Sequence, residues 1–360
     1  MFVLHPILSC DFRAAHERSR WKAPRSIVLL AIGAMHWLLF AGCVGRSENE
    51  VVVYSALDQE FAGPILGAFS RSTAGQIIPR PKYDVESTKT IGLVNRIVAE
   101  QDRVAADLFW NNEILHTIRL QKLGLLVPHR WQVPSDWPII ATDQTWCGFA
   151  ARARVLIINK EMLSDPDLWP ESVMELVDPR WKNQCAMARP LFGTTATHLA
   201  VLVATLGPSR SDAFIQQLAS NVQIVSGNKQ VAQNVAQGKI PWGITDTDDA
   251  IIELEAGFPV AIVFPDQQPA QWGALRIPNT IAILKNAPHP QAAKRLADYL
   301  VSPQTEDRLA MGDSAQIPLF RDVPTRPRVL PGEGVRWMDA DFEAAAEHWE
   351  QLARQLESLF

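Results

Sequence analysis

The chain has 360 residues, of which 47% are hydrophobic and 20% are charged, and its formal net charge is −5. This composition excludes collagen-like and intrinsically disordered proteins, and the length favours two domains over one. The mild acidity argues against a nucleic-acid-binding protein, because the phosphate backbone attracts basic surfaces.

Residues 1–42 have the layout of an export signal. A basic flank with Lys22 and Arg25 precedes the apolar stretch IVLLAIGAMHWLLFAGC, which is short for a membrane-spanning helix. Its last four letters, FAGC, resemble the lipobox of bacterial lipoproteins and make Cys43 the predicted lipidated residue, although Phe40 departs from the usual Leu or Val. An uncleaved anchor and a soluble secreted protein are the alternatives. Removal of residues 1–42 takes away five basic and two acidic residues, which shifts the formal charge from −5 to −8.

Two further cysteines, Cys147 and Cys185, stand in apolar, strand-like surroundings. In an exported protein these two residues are able to form a disulfide, and two separate buried thiols are the alternative. No spacing of His and Cys suggests a zinc site.

Short apolar runs alternate with helical periodicity from Val51 onward. The pattern predicts strands at 51–55, 106–110, 147–160, 185–190, 222–226, 240–245, 259–267 and 275–284, and helices at 61–73, 88–101, 112–124, 196–207, 212–220, 228–238, 248–257 and 289–302. Gly124 is placed to end the third of these helices. Strands that alternate with helices predict an α/β fold.

The C-terminal segment, residues 311–360, ends in a predicted amphipathic helix over 341–360. Its apolar stripe consists of Phe342, Ala346, Trp349, Leu352 and Leu356. The chain shows no internal repeat and no low-complexity segment.

Four strand-to-helix junctions are rich in hydroxyl and amide side chains, at VYSALDQE, YDVESTKT, RPLFGTTATH and VSGNKQV. Open α/β sheets bind ligands outside the carboxyl ends of their strands, where helix N-termini offer unpaired N–H groups. Ordinary capping is the alternative at each junction, because Ser, Thr, Asp and Asn are common N-caps.

The junction FGTTATH gives the strongest indication of a ligand. Gly193 permits close approach of the backbone, and Thr194, Thr195 and Thr197 supply three hydroxyls where one suffices for capping. The helix dipole favours an anion at this end. We therefore predict that the segment 193–195, here called the Thr loop, binds an anion or a carboxylate.

The stretch ITDTDD has two interpretations. Asp246 or Thr247 is a natural N-cap, and Asp248 and Asp249 in the first turn complement the helix dipole. Carboxylates crowded at the end of a strand also suit a cation. We expect Asp246 and Asp248 to contact a ligand, and Asp249 to serve the helix.

Six segments between Val51 and Pro318 carry a family resemblance: VVVYSALDQEF, YDVESTKTIGLVNRIVAEQDRVAADLFWNNE, GFAARARVLIINK, DPRWKNQCAMARPLFGTTATH, GNKQVAQNVAQGKIPWGITDTDDA and PNTIAILKNAPHPQAAKRLADYLVS. Together they resemble the family-1 extracellular solute-binding proteins of bacterial ABC importers, and most of all the ferric-iron-binding branch. The resemblance implies a type II periplasmic-binding fold, in which two α/β lobes are joined by hinge strands around a central cleft. It assigns residues 50–140 and 250–310 to lobe 1 and residues 145–245 to lobe 2.

In the ferric-binding members a loop before a helix of the second lobe binds a small anion, and this loop corresponds to the Thr loop. A neighbouring amide in that family corresponds to Asn228. A pair of adjacent tyrosines, with His and Glu of the first lobe, holds the iron in those members. Here the tyrosine pair corresponds to positions from Thr245 to Asp248, and Asp58 and Gln59 stand where the family has its His.

The resemblance implies a monomeric solute-binding protein of the periplasm or cell envelope, which delivers a small solute to an ABC permease and its ATPase. We expect such a protein to contact the membrane only through a lipid anchor. Ferric iron with an anion is one candidate cargo, with Asp58, Asp246 and Asp248 as candidate metal ligands, because carboxylates are hard oxygen ligands. A small organic amine or zwitterion, such as an aminophosphonate or a polyamine, fits about as well. The predicted ligand-binding residues are Ser55, Asp58, Gln59, Thr88, Asn111, Gly193, Thr194, Thr195, Asn228, Thr245, Asp246 and Asp248.

An exported hydrolase that uses Asp246 and Asp248 as paired carboxylates is the alternative from another class. The sequence has no GxSxG motif, no recognisable Cys–His spacing and no phosphate-transfer loop. We therefore expect a binding protein rather than an enzyme.

Overall fold

The computed structural model describes residues 49–84, 90–332 and 334–360, and these described residues form one compact unit. The predicted export signal, Cys43 and Thr88 lie outside the described residues. Within the described ranges, no helix is both long enough and apolar enough to cross a membrane.

Strands and helices alternate along the chain, which confirms the predicted α/β fold. The strands are β1 (Glu50–Ser55), β2 (Ile78–Tyr83), β3 (Leu108–Asn111), β4 (Leu126–Val127), β5 (Trp146–Asn159), β6 (Cys185–Ala188), β7 (Gln223–Val225), β8 (Trp242–Asp246), β9 (Val260–Val263) and β10 (Arg276–Leu284). The α-helices are α1 (Gln59–Ser72), α2 (Ile91–Ala99), α3 (Leu115–Lys122), α4 (Gly193–Leu206), α5 (Pro208–Asn221), α6 (Asn228–Ala236), α7 (Thr247–Glu255), α8 (Pro290–Leu300), α9 (Pro303–Met311) and α10 (Phe342–Glu357). Gly124 follows α3 with φ of 67°, as a glycine that ends a helix does.

The described strands form one continuous sheet in the order β2-β1-β3-β10-β5-β8-β6-β7, with β4 paired to β10 and β9 paired to β5. Neighbours on the two flanks run parallel, and β10 and β5 in the centre pair antiparallel with their neighbours. The parallel flanks place helix N-termini along one edge of each half of the sheet, where ligands of α/β proteins bind.

Strand β5 joins the two halves of the sheet. Its residues 146–153 pair with β10, and residues 154–158 pair with β8. All 14 residues of β5 are buried, which accounts for the nearly continuous apolar run CGFAARARVLII. The strand β5 therefore contributes side chains to both halves of the sheet.

A buried carboxylate holds an irregularity in this crossing strand. Ala150 has φ of 35°, in the left-handed region, beside a register shift in the pairing with β10. The Glu306 carboxylate of α9 accepts hydrogen bonds from the backbone N–H of Ala150 at 2.6 Å and of Leu319 and Phe320 at 2.7 Å. These bonds attach α9 to the centre of β5.

The pairing of β9 differs from the boundary that the resemblance suggested. Residues 260–263 pair with residues 156–159 of β5, in the half of the sheet that contains β8. The chain returns to the first half at β10, which pairs with β3 and β4. The segment 250–263, assigned above to lobe 1, thus accompanies the second half of the sheet.

Strand β2, IPRPKY, is absent from the predicted elements because it contains two prolines. It lies at the edge of the sheet beside β1. The N–H of Ile78 faces β1, where it donates to Asn49 O at 2.7 Å, so alternation turns the nitrogens of Pro79 and Pro81 away from β1. Proline is tolerated at such edge positions because no ladder hydrogen bond is lost.

The C-terminal helix α10 packs against both α3 and α4. Trp349 is 4% exposed and meets the His116 ring of α3 edge-on, with ring centroids 5.4 Å apart. Trp349, Leu352 and Leu356 of the predicted stripe are buried, while Phe342 and Ala346 are partly buried against the same core. The amphipathic helix predicted at the C-terminus is confirmed.

Cys147 in β5 and Cys185 in β6 are both buried and free. Burial raises the pKa of the Cys185 thiol to about 12 and also raises that of Cys147. Of the two alternatives that the sequence left open, the structure has separate buried thiols.

Candidate functional site

Arg152 and Arg154 lie two residues apart on β5 and therefore project to the same side of the sheet. Both are buried, at 2% and 0% exposure. Buried arginines require acidic or polar partners, because an isolated charge is costly to bury. Each of the two meets one aspartate of the ITDTDD stretch.

Arg154 is the centre of a buried polar network. Its Nη1 donates to Asp246 Oδ1 at 2.7 Å, to Asn228 Oδ1 at 3.1 Å and to Thr194 Oγ1 at 3.2 Å. Its Nη2 donates to Thr195 Oγ1 at 3.3 Å. The network brings together β5, β8 and the starts of α4 and α6, which are far apart in the sequence.

Asp246 completes this network from the other side. Its Oδ2 accepts hydrogen bonds from Thr194 Oγ1 at 2.5 Å and from Asn228 Nδ2 at 3.0 Å. Asp246 occupies the N-cap position of α7, but its side chain makes no capping hydrogen bond. Its carboxylate instead serves the Thr loop and Arg154.

Arg152 is held less completely than Arg154. Its Nη1 donates to the backbone oxygen of Asn112 at 3.0 Å, and its Nε lies 3.1 Å from Asp248 Oδ2. Among the described residues, neither Nε nor Nη2 has a hydrogen-bond partner, so the contact with Asp248 is an ion pair without a directed hydrogen bond. Burial by itself lowers the pKa of the Arg152 guanidinium. The carboxylates of Asp248, Asp246, Asp58 and Asp249 raise it by more, so the pKa lies above its ordinary value and Arg152 stays charged.

Arg152 and the four partners of Arg154 line one cleft, whose volume is about 420 Å³ with the part open to solvent included. Its walls are the Thr loop with Phe192, the segment 226–228, the start of α7 and the residues around Arg152. The lining residues are Asp58, Asn112, Arg152, Ala188, Arg189, Phe192, Gly193, Thr194, Thr195, Ser226, Gly227, Asn228, Asp246, Asp248 and Asp249. The cleft is polar and carries charges of both signs.

Two helices begin at this cleft with unpaired backbone donors. The first intrahelical bond of α4 runs from Ala196 N to Phe192 O, and that of α6 runs from Val231 N to Gly227 O. The three N–H groups that precede each of these bonds have no carbonyl within their own helix. Phe192 and Gly227, at the two N-cap positions, carry no side chain able to cap them. Such helix ends favour an anion.

The structure brings together seven of the predicted ligand-binding residues. Asp58, Gly193, Thr194, Thr195, Asn228, Asp246 and Asp248 all line the cleft. Asp248 is 5% exposed and accepts from the backbone N–H of Asp249 at 3.2 Å, in addition to its contact with Arg152.

Four other predicted ligand-binding residues do not line this cleft. Ser55 donates to Leu57 O at 3.1 Å, and Thr245 donates to Asn228 O at 2.9 Å. Asn111 donates to Glu113 Oε1 at 2.7 Å, and Gln59 is exposed. Thr197, the third hydroxyl of the FGTTATH junction, turns away and donates to Glu113 Oε2 at 2.7 Å. Thr88 lies outside the described residues.

Three aspartates form an acidic cluster at the cleft. One carboxylate oxygen of each of Asp246, Asp248 and Asp249 lies within 4.8 Å of the others, a spacing that a metal ion is able to bridge. Two of these carboxylates face arginines, Asp246 on Arg154 and Asp248 on Arg152. A metal ion has to compete with these arginines for its ligands.

None of the three tyrosines lines the cleft. Tyr54 donates its hydroxyl to Glu100 at 2.8 Å, and burial together with Glu100 raises its pKa to about 12. Burial also raises the pKa of Tyr83, and the Tyr299 ring packs on Phe69. The site therefore offers no phenolate.

Neither Arg152 of the cleft nor Arg154 was among the predicted site residues. Arg152 and Arg154 stand in an apolar run that the periodicity assigns to a buried strand, and their partners come from 40 to 96 positions away. The available signal was the motif RAR itself, because two charges two positions apart on a buried strand require a polar site on one face of the sheet.

Comparison with known proteins agrees with this architecture. The family described as "Bacterial extracellular solute-binding protein" matches residues 102–345. A curated relative, the Fe(3+)-binding periplasmic protein of Serratia marcescens, is 22% identical over 314 residues, which cover 85% of this chain and 88% of that protein.

Two solved structures share the fold. Iron-bound HitA from Pseudomonas aeruginosa superposes with a TM-score of 0.75 at 20% identity and covers 85% of this chain and 99% of its own. The periplasmic binding protein AfuA from Actinobacillus pleuropneumoniae, with exogenous fructose-6-phosphate bound, gives a TM-score of 0.73 at 19% identity and covers 86% and 98%. These likenesses confirm the predicted type II periplasmic-binding fold, with two α/β lobes around a cleft. The chain belongs to the bacterial extracellular solute-binding protein family.

Proposed function

We propose that this protein is the solute-binding component of an ABC importer and that it captures a small organic solute with an anionic group. A phosphate, a phosphonate and a carboxylate all have the required oxygens. The observation that carries this proposal is the convergence of the starts of α4 and α6 with the buried, unpartnered Nη2 of Arg152 on one cleft. Delivery of the solute to a permease and its ATPase follows from membership of the family.

The mixed charge of the cleft supports a zwitterionic solute as well as a simple anion. Arg189, an exposed residue, adds a second cation at the rim beside the Thr loop, while Asp58 and Asp249 supply negative charge opposite. An amine on the solute is attracted to these aspartates while its acid group occupies the helix N-termini. An aminophosphonate has both groups.

Ferric iron with an anion is the second candidate. The cluster of Asp246, Asp248 and Asp249 favours it, and relatives such as the Serratia marcescens protein are named for iron. Ligation by carboxylates alone is weaker for Fe(III) than ligation that includes phenolates, and two of the three carboxylates already face arginines.

The location and the lobes are further parts of the proposal. An export signal agrees with the periplasmic relatives, and a lipid anchor at Cys43 is part of the proposal on the basis of the FAGC motif alone. Closure of the two lobes on the solute agrees with the crossing strand β5, whose Arg152 lines the cleft. We place residues 247–263 with lobe 2, on the basis of their pairing with β5 and β8.

The test begins with what the protein carries. Solute released from freshly purified protein is identified by mass spectrometry, and metals are quantified in the same sample. Emptied protein is then titrated by calorimetry with inorganic phosphate, an aminophosphonate and ferric citrate. We expect an organic anion in the released fraction and binding of phosphate that weakens in Arg152→Gln. One iron per protein with no organic anion would favour the second candidate instead.

A further inference from the structure

We propose that the buried pair of Arg154 and Asp246 is a positioning device for the solute cleft. It fixes the direction of the hydrogen bonds around Thr194, Thr195 and Asn228, so that backbone amides rather than threonine hydroxyls receive the anion. This inference rests on the proposed function for the identity of the ligand class. It assigns Asp246 to the framework of the site instead of to the ligand.

The two charged ends determine where the first proton lies. An arginine only donates hydrogen bonds, and an ionised carboxylate only accepts them. Because Thr194 Oγ1 lies 2.5 Å from Asp246 Oδ2, its hydroxyl must donate to that oxygen. The oxygen of Thr194 then accepts from Arg154 Nη1 at 3.2 Å and from Asn228 Nδ2 at 2.9 Å. Both lone pairs and the proton of this hydroxyl are thereby used.

The same logic fixes the amide of Asn228. Its nitrogen must face Asp246 Oδ2, at 3.0 Å, and its oxygen must face Arg154 Nη1, at 3.1 Å. Thr195 Oγ1 accepts from Arg154 Nη2, so its proton donates to Asn228 Oδ1 at 3.0 Å. Neither threonine retains a proton for a solute.

The donors that remain at the cleft include the N–H groups at the starts of α4 and α6, Nη2 of Arg152 and the exposed guanidinium of Arg189. The pair ties both helix starts to β5 and β8 through side chains, and it thereby sets their spacing. Arg154 and Asp246 are positioning residues, because their own charges cancel each other and because both Nη atoms of the guanidinium and both carboxylate oxygens are engaged in the network.

The test replaces both charges at once. Arg154→Gln combined with Asp246→Asn keeps hydrogen-bonding groups of similar shape but removes the ionic ends that impose direction. The matched control is Arg328→Gln with Glu255→Gln, which removes an exposed ion pair between Arg328 and the last residue of α7. Two quantities are measured: amide hydrogen exchange in the solute-free protein, and the dissociation constant for inorganic phosphate.

We expect the hydrogen-bonded amides of the first turns, 196–198 in α4 and 231–233 in α6, to exchange at least tenfold faster in the double variant than in wild type, while amides of β3 and β10 keep their rates. Phosphate affinity should fall at least tenfold, and the control should change neither quantity. Unchanged exchange at both helix starts would overturn the inference. Faster exchange with unchanged phosphate affinity would also overturn it, since the pair would then have a purely structural role.

Failure of the proposed function gives a different result, namely no phosphate binding by wild type, and the exchange measurement still decides whether the pair orders the two helix starts. A single variant guards against loss of folding in the double one. Thr195→Val removes the donor to Asn228 and leaves the ion pair intact. Positioning predicts faster exchange at 231–233. If the hydroxyl bound the solute directly, its loss would lower phosphate affinity without any change in exchange.

Discussion

Arg152 and Asp248 face each other on the wall of the cleft, with Nε 3.1 Å from Oδ2 and side-chain exposures of 3% and 7%. The two opposite charges lie close together, and both side chains are largely shielded from water. Removal of one member of such a pair leaves an uncompensated buried charge, which is far more costly than the loss of a surface ion pair.

Asp248→Asn should therefore lower stability but strengthen the binding of a simple anion. We expect a loss of about 3 kcal/mol in the free energy of unfolding by urea, because Arg152 loses its ionic partner. Affinity for inorganic phosphate should rise about two- to fivefold, since a repelling charge has left the cleft. Glu255→Gln on the same helix, at an exposed ion pair with Arg328, is the control and should stay within about 1 kcal/mol of wild type.

Binding of an aminophosphonate to Asp248→Asn tests whether Asp248 contacts the amine of a zwitterionic solute. If the amine of the solute contacts Asp248, Asp248→Asn weakens the aminophosphonate while it strengthens phosphate, and calorimetry of the two ligands in parallel shows opposite signs. Equal strengthening of both ligands would assign the amine to a different part of the cleft. Weakening of phosphate would contradict the anion site itself.

Replacement of Thr194 and Thr195 by valine should reduce stability as well as affinity. Each lost hydroxyl removes one hydrogen bond from a buried partner, Asp246 in one case and Asn228 in the other, at about 0.5–3 kcal/mol each. The double serine variant keeps both hydroxyls and should stay close to wild type in thermal unfolding and in phosphate binding. Stable folding of the valine variant, with only its affinity lost, would mean that the hydroxyls bind the solute.

Ferric iron should bind without a phenolate signature. Addition of ferric citrate is expected to produce no visible phenolate-to-iron charge-transfer band, because the three tyrosines lie away from the cleft and the pKa of Tyr54 is raised to about 12. Treatment with a chelator should likewise leave phosphate affinity unchanged. A visible band that disappears in Tyr54→Phe would show that the cleft described here is not the iron site.

His198 should make the protein less stable in mild acid. It is 5% exposed beneath Arg154, and burial, with the nearby Arg154 charge, lowers its pKa well below the ordinary value. The unfolded chain binds a proton at about pH 6.5 while the folded chain does not, so stability is intact above that pH and declines as pH falls toward the folded pKa. Urea unfolding at pH 7.5 and pH 5.5 should show a smaller difference in His198→Leu than in wild type. An identical pH difference in the two proteins would refute this.

The predictable part of the fold is the part that local pattern controls. The alternation of apolar runs and helical periodicity located most strands and helices, and the glycine and threonines of the FGTTATH junction pointed to the edge where the cleft lies. Strand β2 was not predicted because proline generally opposes strand formation. Pro79 and Pro81 are acceptable in β2 because it is an edge strand.

The charge balance of the site depends on distant pairing and was not predictable in the same way. The aspartates of ITDTDD appear in the sequence as a run of negative charge, which suits a cap or a cation. In the folded chain β5 pairs with β8 and places Arg154 beside Asp246 and Arg152 beside Asp248, so two of these negative charges are balanced by buried arginines. A strand residue shows which face it occupies, but its partners are set by the register of the sheet.

The two free thiols have a practical consequence for this molecule. Cys147 pairs across to Ile281 in the first half of the sheet, and Cys185 pairs across to Trp242 in the second. A buried thiol with a raised pKa reacts with alkylating reagents only after its surroundings open. The labelling rate of each cysteine thus reports separately on the opening of its half of the sheet. Added solute should slow the labelling of Cys185, and this measurement needs no introduced probe.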